Sequence, residues 1–354
     1  MPSLKDTHPH FDFFSADSLP DSYTWPPLDD HPSSVHRSDG HHPPVIDLDS
    51  PDAVDLVRRA CLDWGAFHVT NHGVPTELLH RVESQTRRLF SLPTHLKNLA
   101  ARSPDVGVSG FGPAPISRFF DKRFWSEGFT IIGSPFEHAL RLWPDGLGHV
   151  PFCDAMREYE EAMEGFTGRL MRLAFASLGL DESVASEFRG GPTVIQLNSY
   201  PPCPDPGRAM GLAAHTDSTL LTVLHQTATG LQVLRRGGST GWTTVRPVPG
   251  ALVVHIGDLL HVLSNGRYQS VVHRAVVDRA RHRYSVAYLC GPPAHVKVSP
   301  SPTLVGPDRA PAYRAVVWGE YLGLKAKLFD RALTSISVPC DVLSIACFAS
   351  EVVH

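Results

Sequence analysis

The sequence predicts a mainly β protein with flanking helices, in which a helical N-terminal part packs against a β-sandwich or β-barrel. Between residues 193 and 298, short strand-like runs such as 193–200 and 231–234 alternate with turn signals and no helical pattern separates them, which is typical of an all-β sandwich or barrel. Before residue 191, apolar residues recur at steps of three and four, the period of a helix. Because 42% of the 354 residues are hydrophobic and 19% are charged, the chain can build a sizeable core.

Composition and charge argue against several classes of protein. The formal net charge is −4 and no long basic block occurs, so we expect no nucleic-acid partner. No uninterrupted apolar stretch is long enough for a membrane span, and the N-terminus lacks the features of a signal peptide, so we expect no membrane partner and a cytoplasmic or nuclear location. The six cysteines form no CxxC pair and are interpreted as free thiols of a reducing compartment. The sequence carries no signal for an oligomeric state.

The first 155 residues are predicted to form two parts. Residues 1–42 contain six histidines and six prolines, which predicts an irregular leader that lies on the surface or is partly disordered. Residues 43–155 form an N-terminal α/β part, with its two helices predicted over 52–64 and 76–91. Its segment 101–149 is rich in glycine, proline and aromatic residues and has no clear period.

Four further segments complete the predicted organisation. Residues 156–190 hold most of a long core-lining helix and a linker. The helix is predicted to begin at Phe152 and to end at Gly179. The β domain covers 191–298, followed by a closing segment and helix over 299–334 and a tail over 335–354. The closing helix, around 318–333, is predicted to carry on one side Trp318, Tyr321, Leu322, Lys325 and Phe329.

Two histidines and one aspartate suggest a metal site. In His215-Thr216-Asp217, the outer two residues point to the same face if the segment is a strand. His273 lies on a later predicted strand. Two histidines and one carboxylate form the facial triad of non-haem Fe(II) oxygenases, which leaves coordination positions open. Each residue alone is more commonly a satisfied core or surface residue, and the same three ligands suit a zinc hydrolase.

A second set of residues suggests a bound carboxylate. Arg283 and Ser285 are two apart on one predicted strand, and an inward-facing arginine is costly unless it pairs with an anion. Asn198 and Tyr200 share a face of another predicted strand, and the tyrosine hydroxyl can donate into the same pocket. The alternative is that Arg283 is an ordinary surface arginine.

These motifs resemble those of the plant 2-oxoglutarate- and Fe(II)-dependent dioxygenases over about residues 43–330. The resemblance rests on Asn198-Ser199-Tyr200-Pro201-Pro202, His215-Thr216-Asp217, His273 and Arg283-Tyr284-Ser285, with Trp64-Gly65-Ala66-Phe67 and Asn71-His72-Gly73-Val74-Pro75 in the N-terminal part. It implies a double-stranded β-helix, or jelly roll, and the cofactors Fe(II), 2-oxoglutarate and O2, with ascorbate as the reductant in an assay. By the same matching, iron binds His215, Asp217 and His273. The distal carboxylate of 2-oxoglutarate binds Arg283 and Ser285, with Tyr200 and Asn198 beside them.

Within that family the chain resembles the gibberellin 3-oxidase branch. The runs 210–222, 124–130 and 263–266 carry this resemblance, and Thr216 and Ser218 replace the cysteine and proline usual in gibberellin 20-oxidases. The resemblance implies 3β-hydroxylation of gibberellin precursors, with release of succinate and CO2, and a small diterpenoid acid as substrate. The alternatives are oxidation of another gibberellin carbon or of a flavonoid, and a hormone-binding module without catalysis.

Two further features concern the pocket. His255 stands where relatives commonly have asparagine, and we expect it not to touch the ligand set. Aromatic residues are frequent in the irregular segment, and we predict that Phe119, Trp125 and Phe129 line an apolar substrate cavity. The alternative for each of them is simple packing beneath the barrel.

Overall fold

The computed structural model describes residues 11–13, 15–28, 42–102, 108–144, 146, 148–235 and 241–338. Its α-helices are α1 Ala53–Asp63, α2 Thr76–Phe90, α3 Thr94–Leu99, α4 Phe136–Leu142, α5 His149–Ser177, α6 Glu182–Glu187, α7 Asp258–Leu263, α8 Trp318–Leu328 and α9 Ala332–Ser335. Its strands are β1 Val45–Asp47, β2 Ala66–Thr70, β3 Gly110–Gly112, β4 Glu127–Ile131, β5 Thr193–Tyr200, β6 Met210–His215, β7 Leu221–Gln226, β8 Leu231–Leu234, β9 Trp242–Val245, β10 Leu252–Ile256, β11 Val272–Val276, β12 Arg283–Cys290, β13 Lys297–Val298 and β14 Val316–Val317.

The strands form two main sheets that enclose a common interior. The larger sheet has the order β1-β2-β10-β7-β12-β5-β4-β3, and the smaller has the order β6-β11-β8-β9. One buried apolar cluster contains Leu224, Val253 and Ala287 of the larger sheet together with Leu231 and Val233 of the smaller. Two sheets packed face to face over a shared core are a sandwich of the jelly-roll type, as predicted.

Strand alternation decides which side chains enter this interior. Leu197 on β5 and Val286 on β12 pair across the larger sheet and belong to the cluster that packs against the helices. Their neighbours Asn198 and Ser285, which also pair, therefore point to the opposite face, into the sandwich. The period of two thus gives the larger sheet an apolar outer face and several polar positions inside.

Helix α5 covers the outer face of the larger sheet. The ring centroid of its Tyr159 lies 6.1 Å from that of Tyr288 on β12. The helix begins at His149, before the predicted start at Phe152, so the predicted boundary between 155 and 156 falls inside it. The missed first turn contains Pro151, which a helix tolerates at its N-terminal end but which conceals the helical pattern in the sequence.

The described part of the predicted leader packs against the barrel. Residues 11–13 and 15–28 contain one 3-10 turn, Asp21–Tyr23. Phe13 and Tyr23 are buried, with ring centroids 4.9 and 5.4 Å from that of Trp125. This segment is therefore anchored by aromatic burial, which the histidine and proline count does not reveal. Residues 1–10, 14 and 29–41 of the leader, and the tail from residue 339, lie outside the described residues.

The predicted closing helix is interrupted. Helix α8 ends at Leu328, because Phe329 adopts a positive φ of 52°, and a 3-10 turn and α9 follow. Leu322, which was predicted to share one side of the helix with Trp318 and Tyr321, is exposed, whereas Trp318 and Tyr321 are buried.

Two expectations from composition concern thiols and membranes. Cys61, Cys153, Cys203 and Cys290 are free, and the other two cysteines lie outside the described residues. Among the described helices, none combines the length and the apolar character that crossing a bilayer requires.

Candidate metal centre and anion pocket

His215, Asp217 and His273 meet at one point, where His273 is buried and the other two are half-buried. His215 ends β6 and lies directly opposite His273 on β11, with ring centroids 4.3 Å apart. Asp217 lies in the turn after β6, not on the strand as predicted, and its Oδ1 is 3.8 Å from Nε2 of each histidine. One ligand atom from each residue lies within 4.8 Å of the others. The turn after the strand therefore brings the carboxylate to the two imidazoles.

Backbone contacts orient both histidines. Nδ1 of His215 lies 2.8 Å from the carbonyl of Ala213, and Nδ1 of His273 lies 3.2 Å from the carbonyl of Val271. Donation of the Nδ1 proton to each carbonyl leaves the Nε2 lone pair free toward the centre. Burial, with smaller effects of neighbouring charges, lowers the pKa of each histidine to about 4, so both are neutral at pH 7.

Asp217 remains ionised beside the two imidazoles. Burial would raise the pKa of its carboxyl, but the opposing effects of His273, His255 and His215 outweigh burial and lower that pKa. Oδ2 has no hydrogen-bond partner among the described residues. Two neutral imidazoles and one carboxylate are the donor set of non-haem Fe(II) oxygenases, so these residues fit that metal.

Arg283 is a buried cation without a full set of partners. It is 3% exposed at the start of β12, where Nε donates to the carbonyl of Ala228 and Nη2 donates to Gln226. Nη1 has no hydrogen-bond partner in the described part of the chain, and no carboxylate there lies within 4 Å of the guanidinium. Burial lowers the pKa of Arg283. A guanidinium held this way favours a bound anion.

The other predicted anion-binding residues surround Arg283. The guanidinium lies 4.8 Å from the ring centroid of Tyr200, which is its cross-strand neighbour on β5. Ser285 pairs with Asn198 in the next interior position, with 3.5 Å between Oγ and Nδ2. All four predicted residues thus lie side by side on the interior face.

Two glycines that the sequence did not single out make room for these side chains. A Cβ atom at Gly230 would lie 2.7 Å from Cδ of Arg283. A Cβ atom at Gly211 would lie 2.8 Å from Cδ1 of Tyr200. Such close approaches are recognisable only in three dimensions, because glycine has many other uses.

His255 contacts the metal-ligand set, contrary to the prediction. Its ring centroid lies 4.4 Å from that of His273, and its Nδ1 lies 3.9 Å from Oδ2 of Asp217. The residue sits on β10 opposite Thr222 and Ala66, and it is 2% exposed. A histidine inside the otherwise apolar strand 252–256 was the available sequence signal.

The structure places the three aromatic residues predicted to bind substrate in different surroundings. Phe129 is fully buried on the helix-facing side of β4, with its ring 6.4 Å from that of Phe152. Trp125 is fully buried beside the leader. Phe119 stacks on Phe329 with ring centroids 4.9 Å apart. Neither period nor composition in segment 101–149 indicated which side of the sheet each ring would take.

An apolar wall instead adjoins the ligand strand β6. Ala213, two residues before His215, is buried in a cluster with Phe124 and Met210. The partly buried residues packed against this cluster are Trp25, Leu28, Ala114, Ile116, Phe120 and Leu212. We call these six residues the apolar wall.

A buried polar network ties helix α8 to the ligand turn. The fully buried Asp258 accepts hydrogen bonds at Oδ2 from Lys325 at 2.7 Å, Tyr321 at 2.8 Å and Thr216 at 3.1 Å. Ser270 donates to Oδ1 at 2.6 Å. Because Thr216 lies between two of the candidate ligands, this network fixes the turn that carries them.

Comparison with known proteins places the chain in a family. The 2OG-Fe(II) oxygenase superfamily model matches residues 192–292, and the model described as the N-terminal part of a non-haem dioxygenase in morphine synthesis matches residues 43–146. Among solved structures, that of JOX2 in complex with 2OG, Fe and JA is 29% identical with a TM-score of 0.75, covering 92% of this chain and 95% of that one. The rice dioxygenase for auxin oxidation is 28% identical with a TM-score of 0.70, covering 84% of this chain and 100% of that one.

Curated relatives are more similar in sequence. Gibberellin 3-beta-dioxygenase 1 of Pisum sativum is 48% identical over 95% of this chain and 94% of its own length. Gibberellin 3-beta-dioxygenase 1 of Arabidopsis thaliana is 51% identical over 93% of this chain and 94% of its own length. These matches span both the barrel and the helical part, and they confirm the resemblance drawn from the motifs. The chain therefore belongs to the 2OG-Fe(II) oxygenase superfamily, in the family of the gibberellin 3-beta-dioxygenases.

Proposed function

We propose that this oxygenase adds a 3β-hydroxyl group to gibberellin precursors, consuming O2 and 2-oxoglutarate and releasing succinate and CO2. The observation that carries the proposal is a donor set of two neutral imidazoles and one carboxylate in the same sandwich as a buried arginine without an anionic partner among the described residues. The similarity to gibberellin 3-beta-dioxygenases supports the choice of substrate.

The metal ligands in this proposal are Nε2 of His215, Nε2 of His273 and Oδ1 of Asp217. Bound Fe(II) supplies the chemistry that activates O2. The protein contributes fixed orientations of the two imidazoles, through the two backbone carbonyls.

The distal carboxylate of 2-oxoglutarate binds Arg283 through the unpartnered Nη1, with the Ser285 hydroxyl beside it. Asn198 orients that hydroxyl, and the Tyr200 ring supports the guanidinium by a cation–π contact. A zinc hydrolase would leave this buried cation without a role.

The gibberellin skeleton is largely hydrocarbon, and it suits the apolar wall that adjoins β6. Phe119 remains in the proposed substrate cavity, because it is partly exposed next to Phe120 of the wall. Trp125 and Phe129 are left out, since each is 0% exposed and has no free surface to offer a substrate.

The test is an incubation of purified wild-type, His273→Ala and Arg283→Lys proteins with Fe(II), 2-oxoglutarate, ascorbate and a gibberellin that lacks the 3-hydroxyl. Succinate and product mass are measured. We expect gibberellin-dependent succinate and a product heavier by one oxygen in the wild type, neither in His273→Ala, and a raised 2-oxoglutarate KM in Arg283→Lys. Retained turnover in His273→Ala contradicts the ligand assignment. Turnover of a flavonoid but of no gibberellin contradicts the substrate assignment.

A further inference from the structure

The carboxylate of Asp217 has two different surroundings. Oδ1 faces the metal centre, 3.8 Å from Nε2 of both His215 and His273. Oδ2 faces His255, whose Nδ1 is 3.9 Å away. Oδ2 of Asp217 and both ring nitrogens of His255 are buried and have no hydrogen-bond partner among the described residues. Buried polar atoms without a partner are costly, so their placement next to one another needs a physical reason.

A metal ion at the centre supplies that reason. A metal that takes Oδ1 leaves Oδ2 as the remaining acceptor of the carboxylate, and Nδ1 of His255 is the ring nitrogen that lies 3.9 Å from it. A shift of less than 1 Å along this line gives an N–H···O hydrogen bond of normal length. Carboxylate ligands are commonly held by such a second contact, which fixes their orientation and keeps them monodentate.

We propose that His255 is a positioning residue that donates its Nδ1 proton to Oδ2 of Asp217 and so fixes the aspartate as a one-oxygen metal ligand. This inference rests on the proposed metal site, and it concerns a residue that contacts the site without being one of its three ligands. By keeping the second carboxylate oxygen off the metal, His255 leaves open the positions that 2-oxoglutarate and O2 require.

The position of the donor atom, Nδ1 of His255, can be kept, moved or removed by substitution, which provides matched variants. The amide nitrogen of asparagine occupies about the place of Nδ1 in histidine, whereas that of glutamine occupies about the place of Nε2. His255→Asn therefore keeps the proposed donor, His255→Gln moves it, and His255→Leu removes it at similar volume. His68→Gln is the control, because His68 is another buried histidine of the adjacent strand β2 and bonds the carbonyl of Arg246 instead.

The experiment measures Co(II) and Fe(II) affinity by anaerobic titration, together with the visible absorption spectrum of the Co(II) protein. Thermal denaturation of the metal-free proteins checks folding. We expect the affinity to fall about 10- to 100-fold in His255→Leu and His255→Gln, and to stay within about threefold of wild type in His255→Asn and His68→Gln. The Co(II) spectrum is expected to change in His255→Leu and His255→Gln, because Asp217 becomes free to bind through both oxygens.

Each other outcome overturns the inference in a distinguishable way. Wild-type affinity and spectrum in His255→Leu exclude a positioning role while leaving the metal site intact. Equal losses in His255→Asn and His255→Gln exclude donation from Nδ1, and they indicate that the imidazole itself binds the metal. If His255→Leu fails to fold, the comparison of the asparagine and glutamine variants decides the question. Failure of the wild type to bind either metal overturns the proposed metal site and this inference with it.

Discussion

The buried ion pair between Asp258 and Lys325 connects helix α8 to the candidate metal centre, and the cost of its removal can be estimated. The two side chains are 0% and 14% exposed, with 2.7 Å between Oδ2 and Nζ. Lys325→Met keeps the aliphatic stem and removes the charge. Removing one partner of a buried pair costs about 3 to 5 kcal/mol, because the other charge stays buried.

We expect the lower end of that range, about 3 kcal/mol. Asp258 keeps hydroxyl donors from Tyr321, Ser270 and Thr216, which offset part of the loss. At about 2 °C per kcal/mol for a chain of this size, the melting temperature of the metal-free protein should fall by about 6 °C.

The assay is thermal denaturation of Lys325→Met, Asp258→Asn and the double variant. The double variant is expected to be more stable than Lys325→Met, because no uncompensated carboxylate remains. The matched control is Arg314→Met, which breaks the exposed pair with Glu320 on the same helix α8 and should change stability by less than about 1 kcal/mol. A Lys325→Met protein as stable as the control, or a double variant in which the two losses add, refutes the reasoning.

Two further predictions concern the anion pocket and the metal ligands. In Gly230→Ala, the new methyl group overlaps Cδ of Arg283. The 2-oxoglutarate KM, measured by steady-state kinetics, should therefore rise at least about tenfold while metal affinity is unchanged. An unchanged KM contradicts the placement of Arg283. Burial lowers the pKa of His273 to about 4 from an ordinary 6.5, so the unfolded chain takes up a proton between these values that the folded chain does not. The free energy of unfolding of the metal-free protein, measured by urea denaturation, should therefore fall as pH falls from 6.5 to 4. In His273→Asn it should fall less over the same pH range. An equal fall in the two proteins contradicts this prediction.

Local patterns predicted much of the fold. The strand over 193–200 and that over 231–234 were predicted with their observed bounds, because alternation and turn signals mark both ends. Helices α1 and α2 lie within their predicted ranges, since their apolar residues repeat at helical steps. Segment 101–149 was different. Strands β3 and β4 are short and glycine-containing there, so neither their existence nor the buried face of Phe129 could be derived.

The residues of the candidate site that lie in short sequence motifs could be predicted, whereas a residue brought there by packing could not. The spacing in His215-Thr216-Asp217 brings two candidate ligands together whether or not the aspartate lies on a strand. His255 was placed wrongly, because its contact with Asp217 arises from the pairing of β10 with β2 and β7. That pairing joins segments far apart in sequence, and a single sequence does not specify it.

The most direct test of the central claim is the position of the new hydroxyl group. The wild-type protein is incubated with Fe(II), 2-oxoglutarate, ascorbate and a gibberellin that carries deuterium at the 3β position, and the product is analysed by mass spectrometry and NMR. We predict a 3β-hydroxylated product that has lost the deuterium, formed together with succinate. A product that keeps the deuterium and is oxidised at another carbon would contradict the assignment of this chain as a gibberellin 3β-hydroxylase.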